Sequence, residues 1–478
     1  MRRLIFLLAV MGAAVLLATG VALAQSTNQQ SSDRGKAPLQ TNTANAIPGQ
    51  YIVVLKDNVQ SAQQVANDHA RKYGFGPPDF VYERALKGYA VKLSQAQLNN
   101  VRSEPQVKYV DVDRKVEAHQ TQTDPEYVTG VWRINTNSST TWQTSNGTTN
   151  IPGKTAVIDT GIDNTSGDLN VDTTNAKNCV STRKNRTAVD DNGHGTHVSG
   201  TIGAKHNQKG VVGVAPGVSV VPMKVLNSQG SGTTAQVICG INQASSLSPV
   251  VLGTTNGAIR VANMSLGGSF TDPNGTCAAA ADPKNQTGYT VPQGLSGDSE
   301  HEAICSSVNK GILYVVSAGN GTTDLATQSP ASYPEVLTVT ALADYDGKSG
   351  GTGSFTCRSD SGADDTHATW SNYFTQPKDG DHTIAAPGVC ILSYVLNGGT
   401  GYKSGTSMAA PHVAGSANLC IANTNAGCTP QDFNSVQSAL QKLRSDANTY
   451  STTTNTGYGW LSSTESSKYG YLVYPTGY

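Results

Sequence analysis

The chain has 478 residues, 33 Lys and Arg against 34 Asp and Glu, a net charge of −1, and only 14 % charged residues. That balance carries neither the basic footprint of a nucleic-acid binder nor an acidic interaction tail. The length allows a large core, and 50 glycines suit a loop-rich α/β protein.

The first residues read as an export signal. Met1-Arg2-Arg3 is basic, residues 4–19 are almost wholly apolar, and Ala22-Leu23-Ala24 is a small-residue cleavage site. Residues 1–24 are therefore expected to be removed and the product to be extracellular. The apolar run is short for a membrane span, and no later stretch is apolar enough to cross a bilayer. Residues 25–46 are rich in Gln, Ser, Asn and Thr and form a linker. A small module follows over residues 47–119. It reads as a strand at Gln50–Leu55, a helix at Ser61–Lys72, a strand at Tyr89–Leu93, a helix at Ser94–Ser103 and a strand at Val107–Val112.

The chemistry-bearing segments lie further on. Thr155-Ala156-Val157-Ile158-Asp159 is an apolar run closed by an aspartate and a glycine, the pattern of a buried parallel strand. In open α/β sheets, ligand chemistry sits off the carboxyl ends of such strands. In Asn192-Gly193-His194-Gly195-Thr196-His197 a histidine stands at the mouth of a small-residue helix. Gly311–Gly321 is a second buried-strand pattern, ending in Asn320. Gly405-Thr406-Ser407-Met408 sets a serine against the unpaired N–H groups of a helix start, where negative charge is favoured. Each residue alone has an ordinary explanation: a turn aspartate, a structural histidine, an Asn-Gly turn, a serine cap. Their joint occurrence in the order Asp, His, Ser outweighs those readings.

These segments resemble the subtilisin-like (subtilase) serine endopeptidases, from about residue 120 to the C-terminus. The resemblance implies a three-layer α/β catalytic domain with a mostly parallel sheet over residues 120–478. It implies that Ser407 attacks the scissile carbonyl, that His194 relays the proton and that Asp159 orients the imidazole. Asn320 would donate to the oxyanion. Ser265, Leu266 and Gly267 would form one edge of the substrate groove and Gly230, Ser231 and Gly232 the other, gripping an extended peptide by β-augmentation. Gln328–Pro334 would close the primary pocket. With no clear carboxylate at its floor, a broad or apolar preference is expected.

Residues 47–119 resemble the ferredoxin-like α+β inhibitory propeptide of these enzymes. That implies a self-processing zymogen whose own propeptide is its intramolecular inhibitor, cut near His119-Gln120. Protein or peptide substrates and a monomer are expected, and no cofactor for catalysis. A structural calcium would use Asp168 and Asn207, with carbonyls of Lys205, Lys209 and Val211. A tight turn is the equal alternative for that loop. Two other classes are weighed: an inactive binding module, which the complete set of polar residues disfavours, and an esterase, which would need its acid and histidine after the serine.

Eight cysteines behind an export signal favour disulfides over metal binding. They leave 105 connectivities open. Of these we expect Cys179–Cys239, Cys277–Cys305, Cys357–Cys390 and Cys420–Cys428. Asn137, Asn146 and Asn274 stand in glycosylation sequons. A last helix is expected to begin at Thr429-Pro430.

Overall fold

The computed structural model describes residues 35–40, 45–118, 121–122, 130–145, 150–181, 187–270, 275–277, 298–354, 357, 361–451, 458–462 and 464–478. The N-terminal module runs β1 (Ala46–Leu55), α1 (Ala62–Tyr73), β2 (Phe80–Tyr82), β3 (Gly88–Lys92), α2 (Gln95–Arg102) and β4 (Val107–Ala118). Its strands pair antiparallel in the order β4-β1-β3-β2. Hydroxyl caps begin both helices: Ser61 accepts from Gln64 N at 3.2 Å, and Ser94 makes a reciprocal capping box with Gln97. β2 was not read from the sequence, because three residues are too few to show an alternation.

Strand β1 is apolar at four successive positions, Ile52 to Leu55, because both its faces are covered. Val53 and Leu55 form a small core with Ala62, Ala66, Leu98 and Val101 of α1 and α2. Ile52 and Val54 belong instead to the core cluster of the large domain. The module is therefore docked through one face of its sheet.

The large domain contains the strands β5 (Thr121–Gln122), β6 (Lys154–Asp159), β7 (Asn170–Val171), β8 (Lys177–Asn178), β9 (Ser219–Lys224), β10 (Ser231–Thr233), β11 (Ile259–Met264) and β12 (Leu266–Ser269). It continues with β13 (Leu313–Ser317), β14 (Gln328–Ser329), β15 (Leu337–Ala343), β16 (Thr366–His367), β17 (Thr383–Pro387), β18 (Ile391–Tyr394) and β19 (Thr400–Ser404). Its main helices are α3 (His194–Gly203), α4 (Thr234–Ser246), α5 (Ser299–Val308), α6 (Thr406–Ala422) and α7 (Phe433–Thr449).

The central sheet runs β15-β13-β11-β6-β9, all parallel, with β17 added on β15 and β7 and β8 on β9; only β16 is antiparallel. Helices α3 and α6 pack on each other against the sheet, as do α4 and α5, which makes the expected three-layer α/β domain. Helix α6 is buried at every position from Thr406 to Ile421, so it carries no amphipathic stripe. Helix α7 starts three residues later than expected. Asp432, not Thr429, is the cap, accepting from Ser435 N at 2.9 Å, and Pro430 lies outside the helix.

All eight cysteines are paired, in the four expected combinations Cys179–Cys239, Cys277–Cys305, Cys357–Cys390 and Cys420–Cys428. Among the described residues no helix is long and apolar enough to cross a membrane.

Strand β4 joins the two parts. Its first half pairs with β1, and its last residues pair antiparallel with β10 and β12 of the large domain. The strand is thus longer than the six residues expected, since its C-terminal half finds partners only across the domain boundary.

Candidate active site

Asp159 ends β6, His194 opens α3, and Ser407 is the second residue of α6; all three are fully buried. His194 Nδ1 donates to Asp159 Oδ1 at 2.7 Å, and Thr160 N donates to the same oxygen at 2.7 Å. An ionised carboxylate only accepts, so the ring proton sits on Nδ1 and Nε2 keeps a free lone pair in the neutral imidazole. Glycines make this contact sterically possible. A Cβ on Gly195 would lie 2.3 Å from the Gly161 carbonyl, and Gly161 has φ +106°.

Two supporting residues were not singled out from the sequence. Thr160 Oγ1 accepts from Gly195 N at 2.8 Å and ties the strand end to the helix mouth. The buried Lys224 ammonium donates to the carbonyls of Thr160 (2.6 Å) and Leu226 (3.0 Å) and to Asp191 Oδ1 (2.6 Å). It holds the loop that follows Asp159. The available signal was a lone charge in the apolar run Val220–Leu226. Asp190 fixes the start of α3, accepting from Gly193 N at 2.9 Å and from Thr196 N at 3.0 Å.

Ser407 Oγ donates to the Ser265 carbonyl at 2.9 Å, not to His194. His194 Nε2 is buried without a hydrogen-bond partner among the described residues. Such a bond commonly closes only when a reacting complex forms. Ser265 Oγ donates to the Ser407 carbonyl at 2.8 Å and accepts from Asn263 Nδ2 at 2.9 Å, so strand and helix start are laced together. Asn320 Oδ1 accepts from both Thr406 N and Thr406 Oγ1 at 2.9 Å, and that hydroxyl accepts from Gly319 N at 3.0 Å. With its oxygen anchored, the Asn320 amide turns its N–H side away from Thr406.

The two expected groove edges lie on either side of β4. Ser231 pairs with Glu117, Gly232 with Val116 and Thr233 with Lys115; opposite them Leu266 pairs with Ala118 and Gly267 with Glu117. The incoming strand comes close at Gly268, where a Cβ would lie 3.0 Å from the Lys115 carbonyl. Gly232 is confined by its own domain, where a Cβ would lie 2.4 Å from the Val225 carbonyl, and Gly230 takes φ +72° in the preceding turn. On the far side of Ser407 the chain reappears as β5, Gln122 pairing with Lys403 and Thr121 with Ser404. The expected cut at His119-Gln120 lies outside the described residues. Gln328 and Ser329 form β14 on the outer edge of β12.

His197 and His412 are structural. His197 Nε2 donates to the Ile391 carbonyl at 2.8 Å and His412 Nδ1 to the Met408 carbonyl at 2.8 Å. Burial pushes both rings down, His412 to about 4, and keeps them neutral.

The groups expected to hold calcium satisfy one another instead. Asp168 Oδ1 accepts from Asn207 Nδ2 at 2.5 Å and Oδ2 from the Tyr394 hydroxyl at 2.7 Å. Asn207 Oδ1 accepts from Lys209 N at 3.1 Å, the Lys205 carbonyl from Asn207 N at 3.1 Å, and the Lys205 ammonium reaches the Gly167 carbonyl at 3.1 Å. Val211 ends the same loop and is buried. A cation here would have to break the N–H and O–H bonds to its own candidate ligands and lie beside an ammonium, so this set does not fit calcium as it stands.

The profile of the subtilase family matches residues 154–460, which begin at β6 and include Asp159, His194, Asn320 and Ser407. The chain belongs to the subtilase family. Residues 50–119 of this subtilase match the peptidase inhibitor I9 family, which makes the N-terminal module an inhibitor-type propeptide. The cuticle-degrading protease of Metarhizium anisopliae is 32 % identical over 388 residues, 80 % of this chain and 82 % of that one. The subtilisin-like serine protease Pen ch 13 of Penicillium rubens is 32 % identical over 433 residues, 86 % and 90 % of the two chains. Fervidolysin from Fervidobacterium pennivorans, described as a keratinolytic enzyme related to subtilisin, has a solved structure that matches with a TM-score of 0.61 at 22 % identity. That match covers 92 % of this subtilase and 62 % of fervidolysin, and it speaks to the fold. The protein is thus a subtilisin-like serine peptidase synthesised with an I9 propeptide, and therefore as a zymogen.

Proposed function

We propose that this subtilase is a secreted endopeptidase that cuts its own chain next to His119-Gln120 and then extended segments of other proteins. Ser407 Oγ is the nucleophile, and His194 Nε2 takes its proton and returns it to the leaving amine. Asp159 holds the ring in that tautomer, and Asn320 Nδ2 with the N–H of Ser407 receives the oxyanion. The observation that carries the reading is the path of the chain. Strand β4 fills the groove between β10 and β12 up to Ala118, opposite Leu266, one position short of Ser265, whose carbonyl accepts from Ser407 Oγ. The chain resumes at Thr121 on β19, opposite Ser404, three residues before Ser407. The proposed nucleophile is bracketed by the chain it is to cut. Export is supported by the signal-like residues 1–24 and by four disulfides, which persist in oxidising compartments.

The test compares the chain lacking residues 1–24 with its Ser407→Ala variant, following mass and N-terminal sequence with time. Cutting near His119-Gln120 in the wild type alone is the expected result. Equal cutting of both at the same bond would assign it to another protease and remove the proposal's support.

A further inference from the structure

Arg114 on β4 does not reach solvent. Its guanidinium carbon lies 4.3 Å from the ring centre of Phe270, a large-domain residue just beyond β12, and the residue is 5 % exposed. Asp298 and Glu300, at the start of α5, line the same small gap as Arg114 and Val116. Asp298 is fully engaged as the helix cap, accepting from Glu300 N and His301 N at 3.1 Å and from the Tyr333 hydroxyl at 2.7 Å. Glu300 differs. It is 2 % exposed, and its Oε1 accepts no hydrogen bond, just as Arg114 Nε donates none. A buried carboxyl oxygen without a hydrogen-bond donor is costly until one comes to it. Within the module Arg114 is also held by Asp111, through Nη2 at 2.7 Å and Nη1 at 3.3 Å, but Asp111 belongs to the propeptide and leaves with it. What stays with the enzyme is an aromatic face and two buried acids around the space a guanidinium fills.

We infer that Phe270, Asp298 and Glu300 form an outlying subsite that selects a basic side chain, arginine foremost, four residues upstream of the substrate residue opposite Leu266. The inference rests on the proposed use of the groove; with the cut after His119, the selected residue is the sixth before the scissile bond. Arginine suits the site because its planar, weakly hydrated fork stacks on a ring while its edge donates to carboxyl oxygens. The main chain of β4 is paired at the groove edges from Lys115 to Ala118, and Arg114 directly precedes that stretch, opposite Ala46 of β1, so its side chain marks where that of a substrate strand continuing in line would fall.

The experiment uses the processed enzyme and peptides copying Val112–Gln122, with Arg114 retained or changed to Lys, Gln or Glu, and mass spectrometry locating the cut. The Arg peptide is expected to exceed the Gln peptide roughly fivefold in kcat/KM, the difference lying in KM, with Glu the poorest. In Glu300→Leu, which removes the accepting oxygen, and independently in Phe270→Leu, the ratio of Arg to Gln peptide measured within that enzyme is expected to fall toward one. Equal cutting of the Arg and Gln peptides by the wild type, or a ratio unchanged in both variants, would overturn the subsite alone. Failure to cut any of the peptides would overturn the proposed endopeptidase reading, and the subsite with it.

Discussion

The polar residues of this site take their character from the groups that hold them. Asp159 accepts from both His194 Nδ1 and Thr160 N, which leaves the imidazole one basic nitrogen, and the Lys224 ammonium pins the loop beyond by two carbonyls. Asn320 is held by its oxygen, so its N–H face is set in advance of any reaction, which is the condition for electrostatic stabilisation without reorganisation. Asn320→Ala is therefore expected to lower kcat by about 10²–10³ with little change in KM, the magnitude known for loss of the equivalent donor in subtilisin. Steady-state kinetics on a peptide substrate checks it; an equal rise in KM with kcat intact would assign Asn320 to ground-state binding. Asp159, His194, Asn320 and Ser407 could be picked out in the sequence because each stands at a glycine-marked strand end or helix start. Thr160 and Lys224 could not, since their partners are carbonyls and N–H groups distant in the chain.

At the scale of elements, strand ends and hairpins decide what a side chain does. Tyr394, the last residue of β18, sends its hydroxyl to Asp168, where sequence reasoning expected a cation. Burial and the adjacent carboxylate push that phenol well up, so it remains a neutral donor across the working range. Tyr394→Phe leaves one oxygen of a buried carboxylate without its donor and is expected to cost about 1–3 kcal/mol. Urea unfolding of the Ser407→Ala chain, which cannot digest itself, measures the loss. A change below 0.5 kcal/mol, on the order of an ordinary surface substitution, would mean that the bond contributes little. The Asp168 pairing was not readable in the sequence, because a loop of suitable length says nothing about a tyrosine 226 positions further on. The apolar run of β1 was readable as a strand, but not which face met the enzyme.

For the whole molecule, the junction between propeptide and enzyme is rich in carboxyl groups. Asp111 accepts from Ser299 N at 3.0 Å and Asp113 from Ala235 N at 2.9 Å, so two propeptide acids meet the starts of α5 and α4. Glu302 of α5 accepts from Tyr109 and Lys108, and Asp298 and Glu300 lie beside Arg114 with His301 behind them. Burial pushes the Asp113 carboxyl from 3.8 up to about 6 and, with Asp298, the Glu300 carboxyl from 4.5 up to about 8. Raised acids hold protons in the joined form that exposure would release. The joined form therefore has its full advantage below about pH 4 and loses it as pH rises to about 8. After processing, the cut propeptide is expected to stay with the enzyme on gel filtration at pH 5 and to separate more readily at pH 9. Tighter association at pH 9 would contradict the sign.

The sequence alone determined the class of protein. Local signals sufficed for the strand ends and helix starts that present Asp159, His194, Asn320 and Ser407, and for the alternation of the propeptide, because each depends on neighbours within a few residues. The tertiary structure decided the rest. The path of β4 through the groove, the disulfide partners, the direction of the Ser407 hydroxyl, the Tyr394–Asp168 pair and the pocket around Arg114 all join residues far apart in the chain. Such contacts arise from packing and the satisfaction of buried polar groups, and a linear pattern carries no record of which distant groups will meet.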